Sequence, residues 1–205
     1  MSWAVLLGLG AFHGLNPGMG WLFAVALGIQ ERRRTAVFSA LLPLALGHAL
    51  AVGVAVLVAL IAGIVIPIPW LRWLVAGMLL LLGVSRLVSH RHPRWASMRV
   101  NAGTLTLWSF LMASAHGAGL MVVPVFVTMP MGGAHCHAMT GRTMTLTSAL
   151  LATMLHAFGY LLVTAIIAIA VFEKVGVGVL RKAWFNLDFV WATTLLGTGV
   201  VSVFL

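Results

Sequence analysis

Charge is scarce in this chain. Only 7% of its 205 residues are charged, and just three of those are acidic: Glu31, Glu173 and Asp188. An ordinary soluble domain carries roughly a quarter charged residues, so this chain lacks the polar surface to cover itself in water. A bilayer removes that requirement, because there the exterior should be apolar too. The absence of any acid in the middle of an apolar run argues against a carboxylate-based proton or sodium site. With a single cysteine, Cys136, an intrachain disulfide framework is excluded. There is no P-loop or similar nucleotide-binding motif, so energy for any transport has to come from a gradient or a partner protein.

What is present is hydrophobic: 62% of the sequence, with a mean hydropathy of +1.11. Six apolar stretches stand out, at about residues 3–29, 35–66, 70–88, 102–128, 145–171 and 184–205. Each can cross a hydrocarbon core about 30 Å thick. The expected fold is therefore an all-α integral membrane domain of six transmembrane helices occupying residues 1–205. Met1-Ser2-Trp3 lacks the basic start of a signal peptide, so the first segment is read as a retained helix.

The net charge of +9 could point to nucleic acid, but its distribution points to membrane topology. Of the twelve basic residues, ten fall after spans one, three and five: Arg32, Arg33, Arg34, Arg86, Arg91, Arg94, Arg99, Lys174, Arg181 and Lys182. Only Arg72 and Arg142 lie on the other side. The positive-inside bias places the odd-numbered loops in the cytoplasm. Both termini, the Pro67-Ile68-Pro69 turn and the 129–142 loop then face outward, as expected for a bacterial inner-membrane protein with periplasmic termini. Trp3, Trp70, Trp73 and Trp184 near span ends fit interfacial anchoring, while Trp108 and Trp191 fall deeper.

The two halves resemble each other. Ala11-Phe12-His13-Gly14 in span one matches Ser114-Ala115-His116-Gly117 in span four. Leu46-Gly47-His48-Ala49 in span two matches Met154-Leu155-His156-Ala157 in span five. Spans three and six share weaker spacing, Trp73 and Gly83 against Phe189 and Gly199. Three spans per half make the second half enter the membrane from the opposite face, the inverted plan of many transporters. The expectation is a 3+3 inverted repeat, about 1–99 and 100–205, with the first helix of each half broken.

Ionisable side chains inside a membrane are costly and mark functional sites by default. The mid-span polar candidates are His13, Asn16, His48, His116 and His156. Pro17 with Gly18 and Gly20 opens span one beside His13 and Asn16, and Gly117, Gly119 and Pro124 form a weaker version in span four. Four imidazoles near one centre would suit Zn, Ni, Co or Cu. Met19 and Met121 follow the two breaks and could line a path for a soft ion, although methionine in such places is commonly packing. The outward loop carries His135-Cys136-His137 between Met131 and Met139, donors that suit Cu(I) or Zn, for capture or delivery at the outer surface. The opposite reading of the buried histidines is interhelical glue.

The segment His13-Gly14-Leu15-Asn16-Pro17-Gly18-Met19-Gly20 resembles the first-helix motif of the nickel/cobalt efflux branch of the LysE-type transporter superfamily, His-Ala-Leu-Glu-Pro-Gly-His-Gly. His13, Pro17, Gly18 and Gly20 match, whereas Asn16 replaces the acid and Met19 the second histidine. The resemblance implies six spans in two inverted halves; the lost donors leave a softer metal or another substrate open. The leading expectation is a transition-metal cation transporter, with the bilayer and the metal ion as partners, no nucleic acid, and a homo-oligomer or partner subunit compatible. The alternatives are a membrane-embedded metal- or haem-binding oxidoreductase subunit and an assembly subunit without a site.

Overall fold

A computed structural model describes residues 2–88, 101–128, 145–175 and 187–204. The His135-Cys136-His137 loop and the expected basic segments around Arg91–Arg99 and Arg181–Lys182 lie outside the described residues. The elements are α1 (Ser2–Leu15), a 3-10 turn (Pro17–Met19), α2 (Trp21–Glu31), α3 (Arg34–Val65), α4 (Ile68–Val88), α5 (Ala102–Ala115), α6 (Ala118–Thr128), α7 (Leu146–Ala170) and α8 (Leu187–Phe204). A π-helical turn, Val171–Val175, prolongs α7, and no strand occurs among the described residues.

By length and composition, two helices can cross a membrane: α3, with mean hydropathy 2.6, and α7 with its extension, at 2.2. The α5–α6 pair, bent by 61° at its break, makes a third if counted as one span. The remaining apolar helices are shorter. The exterior of the long helices is apolar along their length. Leu42, Leu46, Leu50, Val54, Val58 and Ile61 are exposed on α3, as are Leu150, Met154, Phe158, Leu162 and Ile166 on α7. Water-soluble monomers rarely show so continuous an apolar surface, and a bilayer solvates it without cost.

Both expected helix breaks are present, and each has a local cause. Pro17 has no N–H to donate, Asn16 is extended, and its Oδ1 accepts from the Gly18 N–H at 2.9 Å, capping a single 3-10 turn before α2. Between α5 and α6, Gly117 takes φ +72°, the left-handed region in which a Cβ is disfavoured.

Glycine also sets how closely the helices approach. Gly10 and Gly14, one turn apart on α1, face the α7 backbone from His156 to Thr164, and Gly159 on α7 faces the α1 backbone at Leu7 and Ala11. Gly47 brings α3 onto α5 at Thr106 and Phe110, where Ser109 Oγ donates to the Leu44 carbonyl at 2.6 Å. The α4–α8 contact is reciprocal. Gly83 packs on Leu196 and the Ala192 carbonyl, while Gly199 packs on Leu80 and the Ala76 carbonyl. At one end of the bundle Arg34 pairs with Glu173 (Nε–Oε1 3.0 Å), and Phe172 packs beside Gly28 and Val37. The α2–α3 turn and the end of α7 therefore share one face of the molecule.

A methyl group at Gly10 would overlap the His156 carbonyl, whereas one at Gly8 meets nothing within 4 Å. Overpacking of this kind costs about 1–3 kcal/mol. In detergent, Gly10→Ala is expected to lower the unfolding midpoint, while Gly8→Ala leaves it unchanged or raises it. Equal midpoints for the two variants would contradict the close α1–α7 approach.

Candidate functional site

The α1–α7 and α3–α7 contacts converge on three fully buried histidines: His13, His48 and His156. The ring centroids are 5.0 Å apart for His13 and His156, 5.6 Å for His13 and His48, and 5.4 Å for His48 and His156. The closest approach is His48 Nε2 to His156 Nε2, at 3.2 Å. His116, also buried, packs on Trp191 at 5.7 Å, and Trp191 in turn packs on His13 at 4.9 Å. Thus three of the four expected imidazoles form one group, and the fourth adjoins it through the indole.

Hydrogen bonds fix the proton positions. A carbonyl can only accept, so His13 Nδ1–H donates to the Leu9 carbonyl (2.6 Å) and His156 Nδ1–H to the Leu6 carbonyl (3.2 Å). His156 Nε2 is then a lone pair, and His48 Nε2–H donates to it. That leaves lone pairs on His13 Nε2 and His48 Nδ1, both buried and without a hydrogen-bond partner. His116 Nδ1 donates to the Met112 carbonyl at 2.8 Å, the same one-turn-back bond that His13 makes to Leu9. The group's unmet capacity is for something positive, a proton donor or a cation. Glu31 and Glu173 are exposed at helix ends and supply no countercharge to it.

Among the described residues, no set of three or more His, Cys, Asp or Glu side chains is arranged to hold a metal ion as it stands. The His48–His156 pair nevertheless has suitable spacing. Two nitrogens on one ion at about 2.0–2.1 Å lie roughly 3.3–3.6 Å apart for tetrahedral or trigonal angles. The third nitrogen is the one not in position. Completing a trigonal set requires a third nitrogen to join the pair and the His48 proton to move from Nε2 to Nδ1.

The other candidates are structurally occupied. Asn16 is buried and uses its side-chain oxygen for the turn before α2. Met19 and Met121 are buried in the same apolar cluster as Val52 and Tyr160.

Two residues that hold the site together were not anticipated in these roles. Tyr160 stacks on His48 at 3.9 Å and donates its OH to the Met19 carbonyl at 2.7 Å, closing an acceptor exposed by the first break. Trp191 Nε1–H does the same for the His116 carbonyl at the second break, at 3.0 Å. Each had a signal: Tyr160 is the only tyrosine, one turn beyond His156 on the same helical face, and Trp191 lies away from the span ends where tryptophan usually anchors.

Tyr160→Phe keeps the stacking ring and removes one donor, leaving the buried Met19 carbonyl unpaired. The expected cost is about 1–3 kcal/mol, read as a lower unfolding midpoint in detergent. An unchanged midpoint would mean that this hydrogen bond does not hold the break.

Compared with models of known protein families, with characterised proteins and with solved structures, the chain matches none.

Proposed function

We propose that this chain is a membrane transporter that passes a transition-metal cation through the His13, His48 and His156 group. The observation that carries the reading is the buried His48–His156 nitrogen pair at 3.2 Å, with two further imidazole lone pairs unmet in the same group. Polar groups buried without partners are costly, and neutral imidazole is a general ligand for Cu, Zn, Ni and Co.

The architecture proposed with it is six spans in two inverted halves, α1–α4 and α5–α8, each with a broken first helix. Three features support this plan. The breaks fall at matching histidines, both histidines bond back to the carbonyl one turn earlier, and the Gly83 and Gly199 contacts are reciprocal. In this arrangement the ligands come from both halves, His13 and His48 from the first and His156 from the second. Rocking one half against the other would open the set to either side, as alternating access requires. The shared end bearing Arg33, Arg34 and Lys174 faces the cytoplasm in this reading.

The histidines also support a second reading, because the His48–His156 contact is itself an interhelical hydrogen bond that could serve only as glue. A haem held between two axial histidines is weaker, since 3.2 Å between the nitrogens leaves no room for a macrocycle.

Two measurements test the proposal. In a Cys136→Ser background, Pro67→Cys should react with a membrane-impermeant maleimide on intact cells, and Arg33→Cys only after permeabilisation. The reverse pattern would overturn the orientation. Cells expressing the protein should differ in total Cu, Zn, Ni or Co from control cells, and His48→Gln should abolish the difference. Glutamine can keep a hydrogen bond to His156, so a folded His48→Gln protein with full transport would favour the glue reading.

A further inference from the structure

We propose that α2 and the first turns of α3, residues 21–42, form a hinged gate over the end of the molecule that carries Arg34 and Glu173, an inference that rests on the alternating access described above. This hairpin leaves the regular helical ladder at both of its ends. It begins just after the Pro17–Met19 turn, where the first span is already interrupted. On its other side lies Pro43, buried inside α3. Proline has no N–H for the carbonyl four residues earlier, so Ser39 loses its helical partner and α3 has a point at which to bend.

What the hairpin covers follows from the order of residues along the two long helices. From His48, α3 runs back through Leu44, Leu41 and Val37 to Arg34, about 21 Å of helix. From His156, α7 runs through Tyr160 and Thr164 to Ala168 and then Glu173. Between the histidines and that end, Trp21, Val25, Val37 and Leu41 of the hairpin share one buried apolar cluster with Leu44 and Ala168. A packed apolar constriction bars water and ions, so passage toward this end requires the hairpin to part from α7.

Two contacts at the rim hold the hairpin down, and both come from the end of α7. The Phe172 ring lies over Gly28, where a Cβ would meet its Cε2 at 2.9 Å, and Arg34 pairs with Glu173 (Nε–Oε1 3.0 Å). Phe172 and Glu173 both belong to the π-helical turn Val171–Val175. Such turns are rare and recur at functional sites. The ion pair is exposed on both sides, hence weak and screened by salt. A latch of that strength holds the hairpin without locking it.

The test uses the full chain in lipid nanodiscs, in a Cys136→Ser background. A reporter cysteine is placed by Ala168→Cys, in the cluster under the hairpin, or by Ala59→Cys, in the separate cluster beyond His48 on α3. The rate of reaction with a maleimide reports how often each position opens. Glu173→Gln is expected to speed the Ala168→Cys reaction about two- to fivefold, the worth of an exposed ion pair, and to leave the Ala59→Cys reaction unchanged. Added salt should speed the Ala168→Cys reaction when Glu173 is present and not in Glu173→Gln. Exchanging the pair, Arg34→Glu with Glu173→Arg, should restore the slow rate, and Pro43→Ala, which returns an N–H to the helix, should slow it further. Equal acceleration at both reporters would mean general loosening, and no acceleration at either would mean that the pair is no latch; each result overturns the gate. These rates need no ion, so they stand or fall apart from metal movement in cells, whose absence would overturn the transport reading instead.

Discussion

Everything at the centre of this protein depends on α1 lying almost backbone to backbone against α7. Gly10, Gly14 and Gly159 remove the side chains that would otherwise hold these helices apart. Only at that separation does His156 reach the Leu6 carbonyl and His13 pack against His156. Within a bilayer there is little hydrophobic drive to bring helices together, so close packing and interhelical hydrogen bonds supply the association. The site and its scaffold are therefore the same set of contacts.

The all-helical character and the long apolar helices were legible in the sequence, because apolar runs of that length leave the backbone few ways to satisfy itself. The apolar runs coincide closely with the helices, and the breaks at Pro17 and Gly117 follow from the chemistry of those residues. What the sequence could not convey is which faces meet. A helix that is apolar all round has no amphipathic stripe to orient it, so the convergence of His13, His48 and His156, and the displacement of His116 behind Trp191, are properties of packing. Asn16 illustrates the same limit: mid-span and polar, it reads as a ligand, yet its oxygen stabilises a turn.

Broken helices in an apolar setting expose carbonyls that must be met locally. This protein meets two of them with aromatic donors, Tyr160 at the first break and Trp191 at the second. Both aromatic rings also pack on histidines of the site. The groups that hold the breaks in shape thus also pack against the imidazoles.

The reciprocal α4–α8 seam has the logic of a two-fold dimer interface, in which residue i meets residue j and j's counterpart meets i's. Gly83 with Leu196 and Gly199 with Leu80 are one contact made twice. Each helix therefore supplies one glycine and one leucine to the seam, so a side chain added at Gly83 or at Gly199 is resisted by the same kind of neighbour, a leucine and a backbone carbonyl one turn away from it.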